Sequence, residues 1–335
     1  MLRRALLLSV LPVSALPVAA WADVNVYTTR QPELIQPVID GFTASTGIAV
    51  NLAFVEEGLV ERLVAEGDRS PADLVMTVDI ANLQQIVDAG VVQPVESPVL
   101  EAAIPEALRS PDDTWFALTT RARVVYASRE RVAEGEVTTY EDLADPRWRG
   151  RICTLSGLHN YNLALLAGFI ARNGEEAGRA WAEGLKANIA RPPEGNDRAQ
   201  ARAIWAGECD IALGYTYYMG AMLLSEEERP WAEAVRVDFP TFEGGGTHIN
   251  VSGVAMTRAA PNREEALRLM EFLVSPEAQR IYAEVNHEYP VLEGAALSDV
   301  VASWGTFEPD GTDLATLASH RAAALRIMEE VNFDG

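Results

Sequence analysis

Short β-rich apolar runs alternate with amphipathic stretches from Asp23 onward. This alternation predicts three strands, each followed by a helix, in the first part of the chain. The predicted strands cover residues 24–27, 49–55 and 74–78, and the predicted helices cover 33–46, 59–66 and 80–89. A βαβαβα order favours a mostly parallel sheet with helices on both faces and with ligand sites beyond the carboxyl ends of the strands.

A long β-like run at 115–128 separates this first set of elements from a second α/β set. A strand of that length can cross between two lobes. The second set comprises predicted strands at 151–155 and 209–213 and predicted helices at 162–172, 177–187 and 197–206. After a run of three glycines at 244–246, a further strand is predicted at 249–256, followed by helices at 263–274 and 276–285. We therefore expect an α/β fold of two lobes, each a mixed, mostly parallel sheet with flanking helices, hinged by crossing strands around a ligand cleft.

The lobe assignment follows from the same pattern. Residues 23–122 and about 244–285 are assigned to the first lobe, and residues 123–243 are assigned to the second. We expect the C-terminal helices in 286–335 to pack on the second lobe.

Residues 1–22 have the features of a secretory signal peptide. Two arginines precede an apolar run that two prolines interrupt, and the segment ends in Ala20-Trp21-Ala22. We expect cleavage before Asp23, and the arginine pair leaves either general secretion or twin-arginine export open. No cysteine lies near the cleavage site, so we expect a chain without a lipid anchor that diffuses freely in a bacterial periplasm.

The net charge restricts the possible partners, and the cysteine content indicates a possible disulfide. The 335 residues include 27 Lys and Arg against 49 Asp and Glu, a net charge of −22, which argues against nucleic acid or an anionic membrane surface as a partner.

The two cysteines, Cys153 and Cys209, permit one disulfide in an oxidising compartment. A bond closing that loop would stabilise the fold by about 4 kcal/mol. The alternative is two unpaired buried thiols.

Enzyme signatures are missing from the sequence. It contains no G-x-S-x-G, H-E-x-x-H, C-x-x-C or phosphate-binding G-x-x-x-x-G-K-[ST] motif, and its four histidines are scattered. We therefore expect a binding protein and not an enzyme.

Tyrosine is the informative residue type. Tyr217 and Tyr218 lie in LGYTYYMG after the predicted strand that begins at Cys209, and Tyr161 lies in SGLHNYN after the strand that contains Cys153. Tyr161 and Tyr217 each follow their cysteine by eight residues, so a disulfide would hold the two tyrosine-bearing loops together. The alternative is that the tyrosines serve as aromatic packing or stack on an organic ligand.

Ferric iron fits a cluster of phenol groups, because a highly charged hard cation deprotonates phenols and binds the resulting anionic oxygen. Three phenolates would neutralise Fe³⁺ and leave coordination positions for solvent or a small anion. Arg121 and Arg123 share one strand face, and Arg30 follows the first strand, so these guanidinium groups could hold a bidentate anion such as carbonate. Alternatively, the arginines pair with the surplus carboxylates.

The sequence resembles the periplasmic ferric-iron-binding proteins of bacterial ABC importers over essentially its whole length after residue 22. The segments that carry the resemblance are VNVYTTRQPELIQP, SPADLVMTVD, WFALTTRARVVY, YEDLADPRWRGRIC, LGYTYYMG, GTHINVSGV, APNREEALRLMEFL and NHEYPV. The resemblance implies a transferrin-like, two-lobed periplasmic-binding-protein fold of type II. It also implies delivery of iron to an inner-membrane permease, and we expect a monomer.

By resemblance, Tyr161, Tyr217 and Tyr218 would be the iron ligands. The resemblance assigns the anion to Arg30, Gln31, Arg121 and Arg123. Some relatives have Arg-His-Tyr where this chain has Arg30-Gln31-Pro32, so this chain resembles the branch that completes the iron site with a synergistic anion, which we expect to be carbonate. His159 and Tyr27 are possible additional ligands.

The fold alone does not select iron, since proteins of this architecture also bind thiamine, polyamines, phosphonates and sulfate. An organic-cation binder would use the tyrosines as an aromatic box with acidic partners. An oxyanion binder would use the three arginines and keep the tyrosines as donors. A coloured protein that a ferric chelator bleaches would distinguish iron binding from these alternatives.

Overall fold

The structure, a computed structural model, describes residues 23–335, and the predicted signal peptide at 1–22 lies outside the described residues. Ten strands form within this part of the chain: β1 Val24–Thr28, β2 Val50–Phe54, β3 Leu74–Thr77, β4 Val92–Gln93, β5 Phe116–Ser128, β6 Ile152–Cys153, β7 Ile211–Tyr215, β8 Val235–Asp238, β9 Ile249–Thr257 and β10 Tyr289–Pro290. The strands alternate with helices along most of the chain, as the sequence pattern predicts.

Thirteen α-helices lie between or after these strands in residues 23–335: α1 Pro32–Thr46, α2 Leu59–Glu66, α3 Ile80–Asp88, α4 Pro98–Ala103, α5 Asn160–Ala187, α6 Asp197–Ala206, α7 Thr216–Leu224, α8 Arg229–Glu233, α9 Arg263–Leu273, α10 Pro276–Ile281, α11 Asp299–Ser303, α12 Leu314–Ser319 and α13 Arg321–Glu330. A π-helical turn, Tyr282–Asn286, extends α10. The helix α5 covers both of the helices predicted at 162–172 and 177–187, and Gly174 interrupts it with φ 82°.

Local sequence explains why α1 forms where it does. Pro32 occupies its first turn, where a missing backbone N–H costs nothing, and Gly47 ends it in the left-handed conformation at φ 74°. Its buried side chains recur at helical spacing, at Ile35, Val38, Ile39 and Phe42. This stripe packs into the apolar core of the first lobe.

The strands form one curled mixed sheet in the order β2-β1-β3-β9-β5-β7-β6. The strands of the βαβ units are parallel, with β1 between β2 and β3 and with β6 beside β7. The crossing strands β5 and β9 run antiparallel to their neighbours. The predicted two-lobed α/β fold is confirmed, and the sheet is mixed because the chain returns through these crossing strands.

All thirteen residues of β5 are buried, and this strand connects the two lobes. It pairs with β9 up to Ala122, which lies opposite Ile249. From Arg123, which lies opposite Tyr215, it pairs with β7. The strand therefore passes from the first lobe to the second between two adjacent residues.

Separate apolar cores lie on the two sides of this crossing. One contains the buried residues of β1, β3, α1 and α9, and the second contains those of α5, β7 and α13. The C-terminal segment contributes to both cores, with Leu317 of α12 in the first and Ile327 of α13 in the second. The exact residue bounds of the two lobes stay a prediction.

A disulfide joins Cys153 to Cys209 with their Cα atoms 5.8 Å apart, so the predicted bond is confirmed. It links the end of β6 to the residues just before β7. None of the helices in residues 23–335 combines the length and the apolar character that crossing a bilayer requires.

Candidate metal centre

Tyr217 and Tyr218 lie in the first turn of α7. Strand β7 ends at Tyr215, and α7 begins at the next residue, so the chain turns sharply from strand to helix at the carboxyl end of the strand. The two phenol rings are neighbours, with their centroids 4.1 Å apart. Unpaired N–H groups give a helix start a partial positive charge, which favours a negative charge nearby.

Tyr161 occupies the equivalent place at the start of α5. His159 precedes the helix, and its Nδ1 accepts a hydrogen bond of 3.1 Å from the backbone N–H of Tyr161. The hydroxyl oxygens of Tyr161 and Tyr217 lie 3.2 Å apart. The structure therefore brings together the three tyrosines that the sequence singles out.

A cavity of about 450 Å³ opens beside these hydroxyl groups. The three tyrosines line it together with Arg30, Gln31, Arg121, Asn196, Arg198, Asn286, His287 and Glu288. Most of these side chains carry hydrogen-bond donors, so the cavity combines phenol oxygens with a donor-rich wall.

Burial controls the acidity of the phenol groups. It raises the pKa of Tyr217 and Tyr218 well above the usual value, and the nearby Tyr161 raises both further. Arg121 acts in the opposite direction on the pKa of Tyr217. Burial likewise raises the pKa of Tyr215 to about 12, although Arg123 and Arg121 lower it. In the unliganded protein these groups are neutral at pH 7.

A buried ion pair forms one part of the donor-rich wall. Arg30 Nη2 lies 2.9 Å from Glu288 Oε1 and also contacts the hydroxyl of Ser252. Glu288 accepts a further hydrogen bond of 2.8 Å from the Thr119 hydroxyl. Burial alone would raise the pKa of Glu288, but Arg30 and Arg121 outweigh it and hold this pKa below the usual value. The carboxylate is therefore charged and compensates Arg30.

Arg121 retains unused hydrogen-bonding capacity in this wall. Its Nη1 lies 3.2 Å from the Ser252 hydroxyl and 3.9 Å from Glu288 Oε1. Its Nε and Nη2 are buried without a hydrogen-bond partner among residues 23–335. Burial alone would lower the pKa of Arg121, but Tyr161 and Glu288 outweigh it, so the guanidinium stays charged. Two donor nitrogens of a buried cation are thus free for an anion.

Arg123 does not line the cavity. Its Nη2 donates to Asn162 Oδ1 at 2.7 Å, and its Nη1 donates to Asp197 Oδ1 at 3.3 Å. Asp197 Oδ2 in turn accepts a hydrogen bond of 3.2 Å from the backbone N–H of Tyr215. Arg123 therefore connects the start of α5 to the end of β7 instead of facing the place expected for the anion.

The other site residues predicted from the sequence, Gln31, Tyr27 and His159, differ in whether they line the cavity. Gln31 lines the cavity, as expected. Tyr27 does not, because its hydroxyl donates to Glu66 at 3.0 Å and accepts from Arg62 at 2.7 Å, away from the other tyrosines. His159 is exposed, and its Nδ1 is occupied by the helix start.

Sequence reasoning did not single out Glu288 or Tyr215. Glu288 lies in NHEYPV, a segment that carries the family resemblance, and no local pattern marks its carboxylate as part of a site. Tyr215 lies two residues before Tyr217 in the same run of tyrosines. Its ring lies 5.0 Å from the Arg123 guanidinium and 5.4 Å from that of Arg121.

Two α/β lobes joined by crossing strands, with a donor-lined cavity that also contains clustered tyrosines, define a hinged solute-binding protein. The chain belongs to the bacterial extracellular solute-binding protein family, whose model matches residues 69–312.

Named relatives and solved structures agree with this family. Iron uptake protein A1 of Synechocystis sp. is 46% identical over 314 residues, which cover 93% of this chain and 87% of the relative. The apo ferric ion-binding protein A of Pasteurella haemolytica is 47% identical with a TM-score of 0.89, and the match covers 93% of this chain and 98% of that one. The Trichodesmium protein IdiA (FutA), solved in complex with iron and citrate ligands, is 41% identical with a TM-score of 0.89, and the match covers 93% of this chain and 99% of that one.

Proposed function

We propose that this protein is the periplasmic substrate-binding component of an iron(III) ABC importer. It captures ferric iron through Tyr161, Tyr217 and Tyr218 together with a synergistic anion, and it delivers the iron to the inner-membrane permease as a freely diffusing monomer. The observation that carries the proposal is the 3.2 Å approach of the Tyr161 and Tyr217 hydroxyl oxygens beside a cavity that Tyr218 and Arg121 also line.

The chemistry of the phenol groups supports ferric iron as the cargo. Neutral phenols close together at the cavity wall become anionic ligands when a highly charged cation displaces their protons. Three phenolates neutralise Fe³⁺, so the bound cation adds no net charge to a buried site. Because binding releases protons, the apparent affinity for iron decreases as the pH falls. The names of the relatives, which include iron uptake and ferric ion binding, agree with this cargo.

The unused donors of Arg121 support a synergistic anion. Glu288 already compensates Arg30, so Arg121 provides the uncompensated positive charge beside the tyrosines. Its Nε and Nη2 have the fork geometry that a planar oxyanion accepts. Carbonate is the anion that we propose, with Gln31 as a further donor. The Trichodesmium relative was solved with an organic anion, citrate, as well as iron.

The two-lobed fold suggests the order of events. Iron binds first to the tyrosines, all of which lie on elements of the second lobe. Rotation of the lobes then closes Arg30 and Gln31 over the anion that Arg121 holds, and it excludes water. Loss or protonation of the anion at the permease weakens the site and promotes release.

A visible absorption titration of the apo protein with ferric iron tests the proposal. We expect a phenolate-to-iron charge-transfer band that saturates at about one equivalent and requires bicarbonate. The variant with both Tyr217→Phe and Tyr218→Phe should lose the band and keep its circular dichroism spectrum. Tyr27→Phe is the matched control, because it removes a phenol hydroxyl outside the cavity.

Two other outcomes of the titration would change the proposed anion or the proposed solute. A band that does not depend on bicarbonate would retain iron and remove carbonate from the proposal. If the wild-type protein showed no band, the donor-rich wall would favour an oxyanion as the solute, and calorimetry with phosphate and sulfate would be the next measurement.

A further inference from the structure

Two polar side chains that line the cavity have no hydrogen-bond partner within the described part of the chain. Asn286 is 3% exposed and His287 is 4% exposed. Both polar atoms of the Asn286 side chain and both ring nitrogens of His287 are buried and unpaired. Leaving a buried polar group without a partner is unfavourable, so four such atoms beside a cavity indicate a ligand that is still to be bound.

The backbone holds His287 in an unusual conformation. Its φ of 54° lies in the left-handed region, which is unfavourable for a residue other than glycine and is found preferentially at functional sites. The segment is fixed on both sides, since Tyr282 is buried in the core of the first lobe and Tyr289 pairs with Thr120 of β5. The His287 ring therefore belongs to a rigid part of the lobe that carries none of the three tyrosines.

A glycine on α7 creates the space that the ring occupies. A Cβ atom on Gly220 would lie 2.2 Å from His287 Cγ, which is far too close for any side chain there. Gly220 follows Tyr217 by three residues, and Ala221, four residues after Tyr217, lines the cavity. Residues at these spacings share one face of a helix, so the ring lies against the face of α7 that carries Tyr217.

We propose that His287, on the first lobe, is a nitrogen ligand of the ferric ion beside the tyrosines of the second lobe. The proposal rests on the function proposed above. Imidazole is a suitable ligand for iron, and three phenolates leave coordination positions open. Burial lowers the pKa of His287, which favours the neutral ring whose nitrogen lone pair can bind a metal. With His287 as a ligand, the ferric ion itself connects the two lobes.

Pulsed electron paramagnetic resonance of the iron-loaded protein tests this ligand, because a directly bound nitrogen gives a characteristic ¹⁴N coupling to the ferric ion. We expect the coupling in the wild-type protein and its loss in His287→Gln. The dissociation constant for iron should rise at least tenfold in that variant, since even a residue that only supports a ligand contributes about 10–100-fold to metal affinity. The matched control is His320→Gln, which removes a histidine outside the cavity and should retain the coupling.

A second variant tests whether the position of the His287 ring matters when the ring is still present. Gly220→Ala retains His287 but fills the space beside it, so the ¹⁴N coupling should disappear while the charge-transfer band of the tyrosines persists. A wild-type protein with the band but without ¹⁴N coupling would overturn the assignment of His287 and leave iron binding intact. Loss of the coupling in His159→Gln instead would assign the nitrogen to His159 and also overturn the proposal. Absence of the band itself would contradict the proposed function.

Discussion

Tyr161 and Tyr217 lie with their hydroxyl oxygens 3.2 Å apart although 56 positions separate them in the sequence. Cys153 and Cys209 are joined across the same separation, and each tyrosine follows its cysteine by eight residues. The disulfide therefore fixes two chain segments at equivalent points, and each segment then places one phenol group at the cavity.

Replacing both cysteines, with Cys153→Ser and Cys209→Ser, should lower the free energy of unfolding by about 4 kcal/mol, since a loop of this length gains that much conformational freedom in the unfolded chain. Urea denaturation of the variant and the wild type measures the difference. Wild-type protein unfolded in the presence of a reductant should match the variant. A loss below about 1 kcal/mol would contradict the expected role of the bond.

Arg123→Leu should destabilise the fold strongly. The substitution leaves Asp197 fully buried without its cation, and removing one partner of a buried pair costs about 3–5 kcal/mol. The midpoint of urea unfolding is the measurement. Adding Asp197→Asn to the variant should restore part of the loss, because the uncompensated charge is then removed. If the single variant were as stable as the wild type, the buried pair would have no structural role.

Arg121→Gln should raise the bicarbonate concentration that iron binding requires, and its effect on folding should be smaller. The substitution removes the free Nε and Nη2 donors, so the charge-transfer band should need at least about tenfold more bicarbonate to form, the loss expected for a charged hydrogen bond. An iron titration at several bicarbonate concentrations measures the shift. Arg62→Gln removes an arginine that contacts Tyr27 outside the cavity, and it should leave the requirement unchanged.

Asp210→Asn should remove a pH-dependent part of the stability. Burial by itself would raise the pKa of Asp210, but hydrogen bonds from Arg151 and Arg131, at 2.6 and 2.5 Å, hold it below the usual value. A lowered pKa in the folded state means that the stabilisation is complete above the unfolded-state value of about 3.9 and disappears as the pH falls below it.

Urea denaturation at a series of pH values checks this prediction. The free energy of unfolding of the wild type should exceed that of Asp210→Asn by about 1 kcal/mol at pH 6, and the difference should decrease as the pH falls below about 4. Asp68→Asn is the control, since Asp68 forms an exposed pair with Arg258 that contributes little. A difference that stays constant over the whole pH range would show that the carboxylate charge is not its source.

Several elements could be predicted from the sequence because their signals are local. The helices predicted at 59–66 and 197–206 form with those bounds, since each has one apolar face and a glycine immediately after its last residue. The three tyrosines were also predictable, because two strand ends in one lobe must meet at the same edge of its sheet.

The roles of the arginines were not predictable in the same way. Arg121 and Arg123 share a strand face, yet one lines the cavity and the other binds Asp197 on α6, 74 residues away. Arg30 pairs with Glu288 across 258 residues. Such partners depend on how distant elements pack, which no local pattern records. Tyr27 failed to reach the cavity for the same reason, since α2 supplies the partners of its hydroxyl.

The change of partner strand within β5 has a consequence for how the protein moves. Arg121 lies just before the switch from β9 to β7, and Arg123 lies just after it. Points close to a rotation axis are displaced least when two bodies turn about it. A hinge at this switch would therefore leave the positive charge of Arg121 nearly in place as the cleft opens and shuts, and an arriving anion would meet the same binding group in both states.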